Sequence, residues 1–271
     1  MTGAAFQVGS VQVHPILDGR MGVAPHVLYP FADPRELPLD ADGNIPLDYG
    51  GFLLLGPDDA VVLVDAGGGE WFTVAEDKGR LHTGGQLLDR LAQVGISPGD
   101  VTHVVFTHLH LDHCGWASSA GRPTFPRAAY VCHEADWRAF VTGDADPRVR
   151  TAMGPVEAQV RPWTQDTDVL PWLRLAHCPG HTPGNAIVFV ADAAEELALI
   201  GDLAHHPLEL VHPDWLGGVD TDPAGVSHQR ASWFGRFADA GTPIAGPHFP
   251  AQRPIRIERA DTAFRAVSCA G

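Results

Sequence analysis

The chain has 271 residues, of which 45% are hydrophobic and 19% charged, a balance that permits a sizeable core and excludes a mainly disordered protein. Lys+Arg 18 against Asp+Glu 33 leaves a formal net charge of -15, with a sequence pI near 5.3. Such a charge argues against a nucleic-acid partner, which needs a basic face, and disfavours an anionic membrane surface.

The first fifteen residues lack the basic start and continuous apolar run of a secretory signal. No run approaches the roughly 20 apolar residues of a membrane span. The expectation is a cytoplasmic protein with no membrane partner. Cys114, Cys132, Cys178 and Cys269 are widely spaced and form no C-x-x-C pair, so they read as buried thiols. The unusual count is 15 His.

In chain order, the alternation of Phe6 to Leu17 predicts a strand. Residues 20 to 50 contain Pro25, Pro30, Pro34, Pro38 and Pro46 among apolar residues, and predict an ordered flap packed on the body. Phe52 to Leu55 and Val61 to Val64, separated by Gly56-Pro57-Asp58-Asp59, predict a hairpin. Helical spacing follows in Gln86 to Val94, closed by Gly95, and a buried-type strand in Thr102 to Phe106. Further strands are expected at Ala129 to Cys132, Trp172 to Ala176, Ala186 to Val190, Leu197 to Ile200 and Pro243 to Ala245. Helices are expected at Glu134 to Val141 and Ala224 to Ala240. No composition break or repeat appears along the chain, so the expectation is one layered α/β domain over 1–271 with mixed sheets.

The chemistry concentrates after the strand ending at Phe106, where Thr107-His108-Leu109-His110-Leu111-Asp112-His113 reads H-x-H-x-D-H. In extended backbone His108 and His110 point the same way, and a turn after Leu111 swings Asp112 and His113 back toward them. Three imidazoles and a carboxylate gathered this way are costly to bury without a cation. His181 in Pro179-Gly180-His181-Thr182-Pro183-Gly184, Asp202 after Leu197-Ala198-Leu199-Ile200-Gly201, and His248 after Ile244-Ala245-Gly246-Pro247 repeat one context: strand, polar residue, turn.

This series resembles the metallo-β-lactamase superfamily of metallohydrolases over roughly Asp65 to His248. The resemblance implies a four-layer αβ/βα sandwich, with two mixed sheets packed face to face, helices outside, and metals at one sheet edge. It implies one ion on His108, His110 and His181, a second on Asp112, His113 and His248, and Asp202 bridging them. Asp65, in Val62-Leu63-Val64-Asp65, matches the family's early aspartate and is expected to support the site, orienting a loop or a ligating imidazole, rather than ligate. Imidazoles with carboxylates suit two divalent ions, zinc first, with manganese, cobalt or iron accepting the same set.

Two cations sharing a water lower its pKa from about 15.7 toward neutrality, so the expected reaction is hydrolysis of a lactone, carboxylic ester or organophosphate ester. Asp112 is expected to take up a proton. The single lysine, Lys78, argues against Schiff-base chemistry. His205, three positions after Asp202, stands where related acyl-homoserine lactonases carry a tyrosine. Together with Val211-His212-Pro213-Asp214-Trp215 it resembles the methyl-parathion-hydrolase branch instead. His205 is expected to line the pocket and assist the leaving group or the substrate oxygen.

The flap (His26, Val27, Leu28, Tyr29, Phe31), Trp71 and Phe72, and Trp116 are candidates for pocket walls, with core packing the favoured reading for their aromatic members. As walls they suit a small, neutral, moderately apolar substrate. The apolar flap also suggests a homodimer. The alternatives are a mononuclear iron dioxygenase or a glyoxalase II-like thioester hydrolase of the same superfamily.

Overall fold

The computed structural model describes residues 4–72, 74–77, 80–261 and 263–269. Lys78 and parts of the 67–83 connection lie outside them. Two large sheets pack face to face. The first runs, edge to edge, Val160–Trp163, Ala129–His133, His103–Val105, Val61–Val64, Ile45–Leu55, Val11–Val23, Arg80–Thr83 and Val74–Asp77, with Phe6–Val8 also pairing to Val11–Val23. The second runs Thr167–Leu170, Leu173–His177, Ala186–Asp192, Glu195–Leu199, Ile244–Ala245, Ile255–Ala260 and Ala263–Ser268.

Alternation along the strands explains the layering. In Ala186–Asp192, Ala186, Val188 and Val190 face the first sheet and meet Val13, Phe52, Val62 and Val105 in the central core. Ile187 and Phe189 face outward and meet Phe234 and Phe237 of the helix Pro223–Ala240. The outer face of the first sheet is covered in the same way by Leu87 and Leu91 of the helix Leu87–Gln93. Both faces are buried, so these strands read as continuous apolar runs. The arrangement is the four-layer α/β sandwich with mixed sheets that the sequence led one to expect.

The helix Pro223–Ala240 has clear end signals. The Asp222 side chain accepts the Gly225 N–H at 3.0 Å, Pro223 opens the first turn, and Gly241 closes the helix at φ 68.

Three expectations change. The strand predicted over Phe6 to Leu17 is two, because Gly9 (φ 57) turns Phe6–Val8 back on Val11–Val23. The flap expected over residues 20 to 50 is narrower: its ends belong to the strands Val11–Val23 and Ile45–Leu55, which pair directly as Met21↔Leu47 and Val23↔Ile45. Pro46 lies within the second of these strands, opposite Gly22, and takes from it only one N–H. The helix expected over Glu134 to Val141 begins with one α turn, Glu134–Asp136, and widens into a π-type turn, Trp137–Thr142.

Candidate metal centre and pocket

The carboxyl ends of five strands open on one edge of the sandwich. Val61–Val64 leads to Asp65, and His103–Val105 leads to Thr107 and the stretch 108–113. Leu173–His177 leads to His181, Glu195–Leu199 to Asp202, and Ile244–Ala245 to His248. Within the early stretch, backbone is extended through His110 (φ -76, ψ 156) and becomes helical over Leu111–Cys114. That change brings Asp112 and His113 back beside His108.

All seven residues singled out from the sequence as ligands meet here. His108, His110 and His181 form one group whose donor atoms lie within 4.8 Å of one another, and Asp112, His113 and His248 form another. Asp202 Oδ2 stands between the groups, 3.2 Å from His181 Nε2, 3.2 Å from His248 Nε2, 3.5 Å from His113 Nε2 and 3.7 Å from His108 Nε2. Asp112 Oδ2 lies 3.6 Å from His248 Nε2 and 3.8 Å from His113 Nε2.

Among the described residues, His108 Nε2, His113 Nε2 and Asp202 Oδ1 are buried with no hydrogen-bond partner. Buried polar atoms are normally paired, so several unpaired lone pairs converging on one volume fit a cation. The donor set of imidazoles and carboxylates suits a borderline divalent ion.

Electrostatics follow the same division. Burial, joined by neighbouring imidazoles, pushes His108 and His110 well below the ordinary histidine value, leaving neutral rings with lone pairs to offer. Burial opposes the charge of Asp202, but His248, His113, His108 and His181 hold it well below the usual carboxylate range. Burial also opposes a charged His113, yet Asp202, Asp112 and Asp65 push it up, so a proton and a metal ion compete for that ring.

Four of the five rings are aimed from behind, while His110 Nδ1 faces His181 Nε2 at 2.9 Å. Asp65 Oδ2 lies 3.0 Å from His113 Nδ1, and the same carboxylate accepts the Thr107 N–H and hydroxyl, both at 2.8 Å. Thr107 Oγ1 in turn lies 3.1 Å from His108 Nδ1. Asp220 Oδ1 is 2.8 Å from His181 Nδ1, and His248 Nδ1 donates to the Asp48 carbonyl at 2.7 Å. Fully buried Asp136 accepts the Leu109 N–H at 2.9 Å, the Thr182 hydroxyl at 2.9 Å and the Gly184 N–H at 2.6 Å. It thereby clamps the H-x-H stretch to the loop bearing His181.

Asp136, Asp48, Asp220 and Asp18 were not found from the sequence. Asp136 carried a weaker signal, standing three residues past the strand Ala129–His133 in the helical turn Glu134–Asp136, whereas Asp65 follows Val61–Val64 directly. The others sit in strands and loops where an aspartate attracts no notice.

A cavity of about 190 Å³ lies over the cluster. Met21, Val23, Leu28, Leu47, Phe72 and Val219 form its apolar side, and His110, His181, Asp202, His205 and His248 its floor. Asp146 and Arg148 reach the rim, paired at 2.7 Å. The wall candidates divide between cavity, surface and core, with core packing, the favoured reading, holding for Tyr29 and Trp116. Leu28 and Phe72 line the cavity, whereas Phe31 is 85% exposed and Trp71 39% exposed. Tyr29 is buried against Trp215, with ring centroids 5.1 Å apart. Trp116 does not face substrate: it is buried, and its Nε1 donates to Asp18 Oδ1 at 3.1 Å.

His205 does line the cavity, with Nε2 3.4 Å from Asp202 Oδ2 and Nδ1 3.6 Å from Glu209 Oε1. Burial opposes its charge, but Asp202 and Glu209 push it up to about 10.

The profile of the metallo-beta-lactamase superfamily matches residues 52–234. The chain belongs to that superfamily. An N-acyl homoserine lactonase from Bacillus sp is 26% identical over 105 residues, 39% of this chain and 39% of that protein. The N-acyl homoserine lactonase AttM of Rhizobium johnstonii is 32% identical over 117 residues, 38% of this chain and 40% of that relative. The matches thus span about two fifths of the length of these curated relatives.

Among solved structures, AidC, described as a dizinc quorum-quenching lactonase in complex with a product, superposes with a TM-score of 0.88 at 19% identity, over 100% of this chain and 98% of that one. The hydrolase AbOPH superposes with a TM-score of 0.86 at 22% identity, again over 100% and 98%. These likenesses establish a shared fold. Among the described residues, no helix is long and apolar enough to cross a membrane.

Proposed function

We propose that the chain works as one domain and is a dinuclear metal-dependent hydrolase of small, neutral, moderately apolar esters, with lactones first and carboxylic or organophosphate esters next. The observation that carries this reading is the convergence of His108, His110 and His181 beside Asp112, His113 and His248, with Asp202 between them. Two separate groups favour two ions over the single iron of a dioxygenase. Zinc is proposed first. Divalent ions bound there supply Lewis acidity and acidify a water at neutral pH. The lactonases among the relatives favour the lactone reading, and the apolar wall of Met21, Val23, Leu28 and Leu47 suits an acyl chain.

The remaining work falls to this chain's own atoms. Asp112 Oδ2 takes up the proton lost during attack. His205 Nε2, facing the cavity, steadies the leaving oxygen. The acyl chain lies along the apolar side and excludes water from the floor. A glyoxalase-type thioester with an anionic glutathione part finds, among the described residues, one cation at the rim, Arg148, already paired with Asp146.

The test is metal analysis of the purified protein, followed by a panel of lactones, aryl esters and phosphotriesters. Two equivalents of zinc with lactone turnover are expected. One equivalent of iron with oxygen uptake overturns the reading. For His205, the substitution His205→Phe is expected to lower kcat/KM on the best substrate. An unchanged value removes its assisting role.

A further inference from the structure

Behind the floor of the cavity lies a cation that the proposed reaction does not use. Arg230, in the helix Pro223–Ala240, is completely buried. A guanidinium is costly to bury unless it is both paired and hydrogen-bonded. Its Nε donates to the Leu203 carbonyl at 2.7 Å, Nη1 to the Trp215 carbonyl at 2.7 Å, and Nη2 to Glu209 Oε1 at 2.6 Å. Asp220 Oδ2 lies 3.9 Å from the same Nη2.

Each of these carboxylates stands behind one imidazole of the floor. Asp220 Oδ1 is 2.8 Å from His181 Nδ1, and the opposite nitrogen of that ring is 3.2 Å from Asp202 Oδ2. Glu209 Oε2 accepts the His205 backbone N–H at 2.5 Å, while Oε1 lies 3.6 Å from the His205 ring. The two carbonyls on Arg230 belong to residues 203 and 215, so the guanidinium also pins both ends of the segment that carries His205. Only a planar fork reaches these directions at once, and an ammonium cannot. If stability alone were served, a well-packed apolar side chain of similar volume would do as well or better.

We propose that Arg230 is a positioning residue that fixes two imidazoles together, His181 through Asp220 and His205 through Glu209. The inference rests on the reading of His181 as a metal ligand. It goes further in making one buried cation responsible for both a ligand and the pocket wall.

The experiment uses the full chain with Arg230→Met, Arg230→Lys, Asp220→Asn and Glu209→Gln. It measures zinc affinity by competition with a chromogenic chelator, the Tm of the metal-free protein, and kcat and KM separately. Arg230→Met and Asp220→Asn are each expected to weaken zinc binding by about 10- to 100-fold. Combining them should weaken it no further, as residues acting in one series do. Glu209→Gln should leave zinc affinity at the wild-type value and lower kcat at unchanged KM. Arg230→Lys should fall between Arg230→Met and the wild type.

A folded Arg230→Met protein with a lowered Tm but wild-type zinc affinity and kcat reduces Arg230 to packing and overturns the proposal. If Arg230→Met does not fold, the Asp220→Asn, Glu209→Gln double variant decides. Non-additive effects on kcat support the shared cation, and purely additive ones refute it. A wild-type protein that binds no zinc is a separate result, since it fails the reading of the metal centre itself.

Discussion

The two halves of the candidate centre are built differently. The first sheet supplies His108, His110, Asp112 and His113 from one short stretch, where a single change from extended to helical backbone aims all four. The second sheet supplies His181, Asp202 and His248 from three strand ends, and each has its own support. These are Asp220 for His181, Asn185 Oδ1 at 3.4 Å from the Asp202 N–H, and the Asp48 carbonyl for His248. A contiguous motif shares its supports, whereas a dispersed set needs one for each member. Asp136 joins the halves, with one hydrogen bond to the first and two to the second, beside the Ala186 N–H donating to the Thr107 carbonyl at 2.8 Å.

The sharpest way to break this comparison is Asp202→Ala, which removes the oxygen standing between the groups. Loss of both bound ions and of detectable turnover is expected, read by metal analysis and lactone assay. Retention of two ions would show that the halves do not depend on Asp202.

Asp136→Ala comes next, because it leaves the Leu109 N–H, the Thr182 hydroxyl and the Gly184 N–H buried without an acceptor. At roughly 1–3 kcal/mol for each unsatisfied group, the metal-free protein should lose about 3 kcal/mol or more, measured by urea unfolding. A loss under about 1 kcal/mol, the scale of one ordinary hydrogen bond, would deny the clamp.

Asp65→Asn sharpens the contrast by touching only the first half. Metal affinity or kcat/KM should fall by about 10- to 100-fold, with the ion held by Asp112, His113 and His248 lost first. The smallest effect tests the packing behind the second half: Asp222→Ala removes the cap of the helix carrying Arg230 and should cost about 1 kcal/mol of stability with unchanged metal stoichiometry.

The same asymmetry explains what could be read from the sequence. His108 to His113 announce themselves by spacing. His181, Asp202 and His248 become legible because each follows an apolar strand and precedes a turn. The buried supports do not: Asp18, Asp48 and Asp220 look like any surface aspartate, and only the tertiary fold brings Gly68, Ala251 or His181 to them.

Arg230 is hidden for a related reason, since arginine on a helix normally snorkels outward. In the fold, strands buried on both faces were found from their apolar runs. The closing hairpin Ile255–Ala260 and Ala263–Ser268 was missed because its outward positions carry Arg256, Glu258 and Arg265 among only a few apolar residues.

Asp65 carries one more consequence. Its backbone lies at φ 60, a left-handed conformation that aspartate, asparagine and glycine accept more readily than other residues. Glycine fits the bend but brings no oxygen to Thr107 or His113. Asparagine fits it but places an amide where one of two acceptors is required, and glutamate has the acceptors on a stem the bend disfavours. Randomising this codon and selecting for catalysis should therefore return a single amino acid, because the chain's geometry and the imidazole's demand intersect in one member of the genetic code.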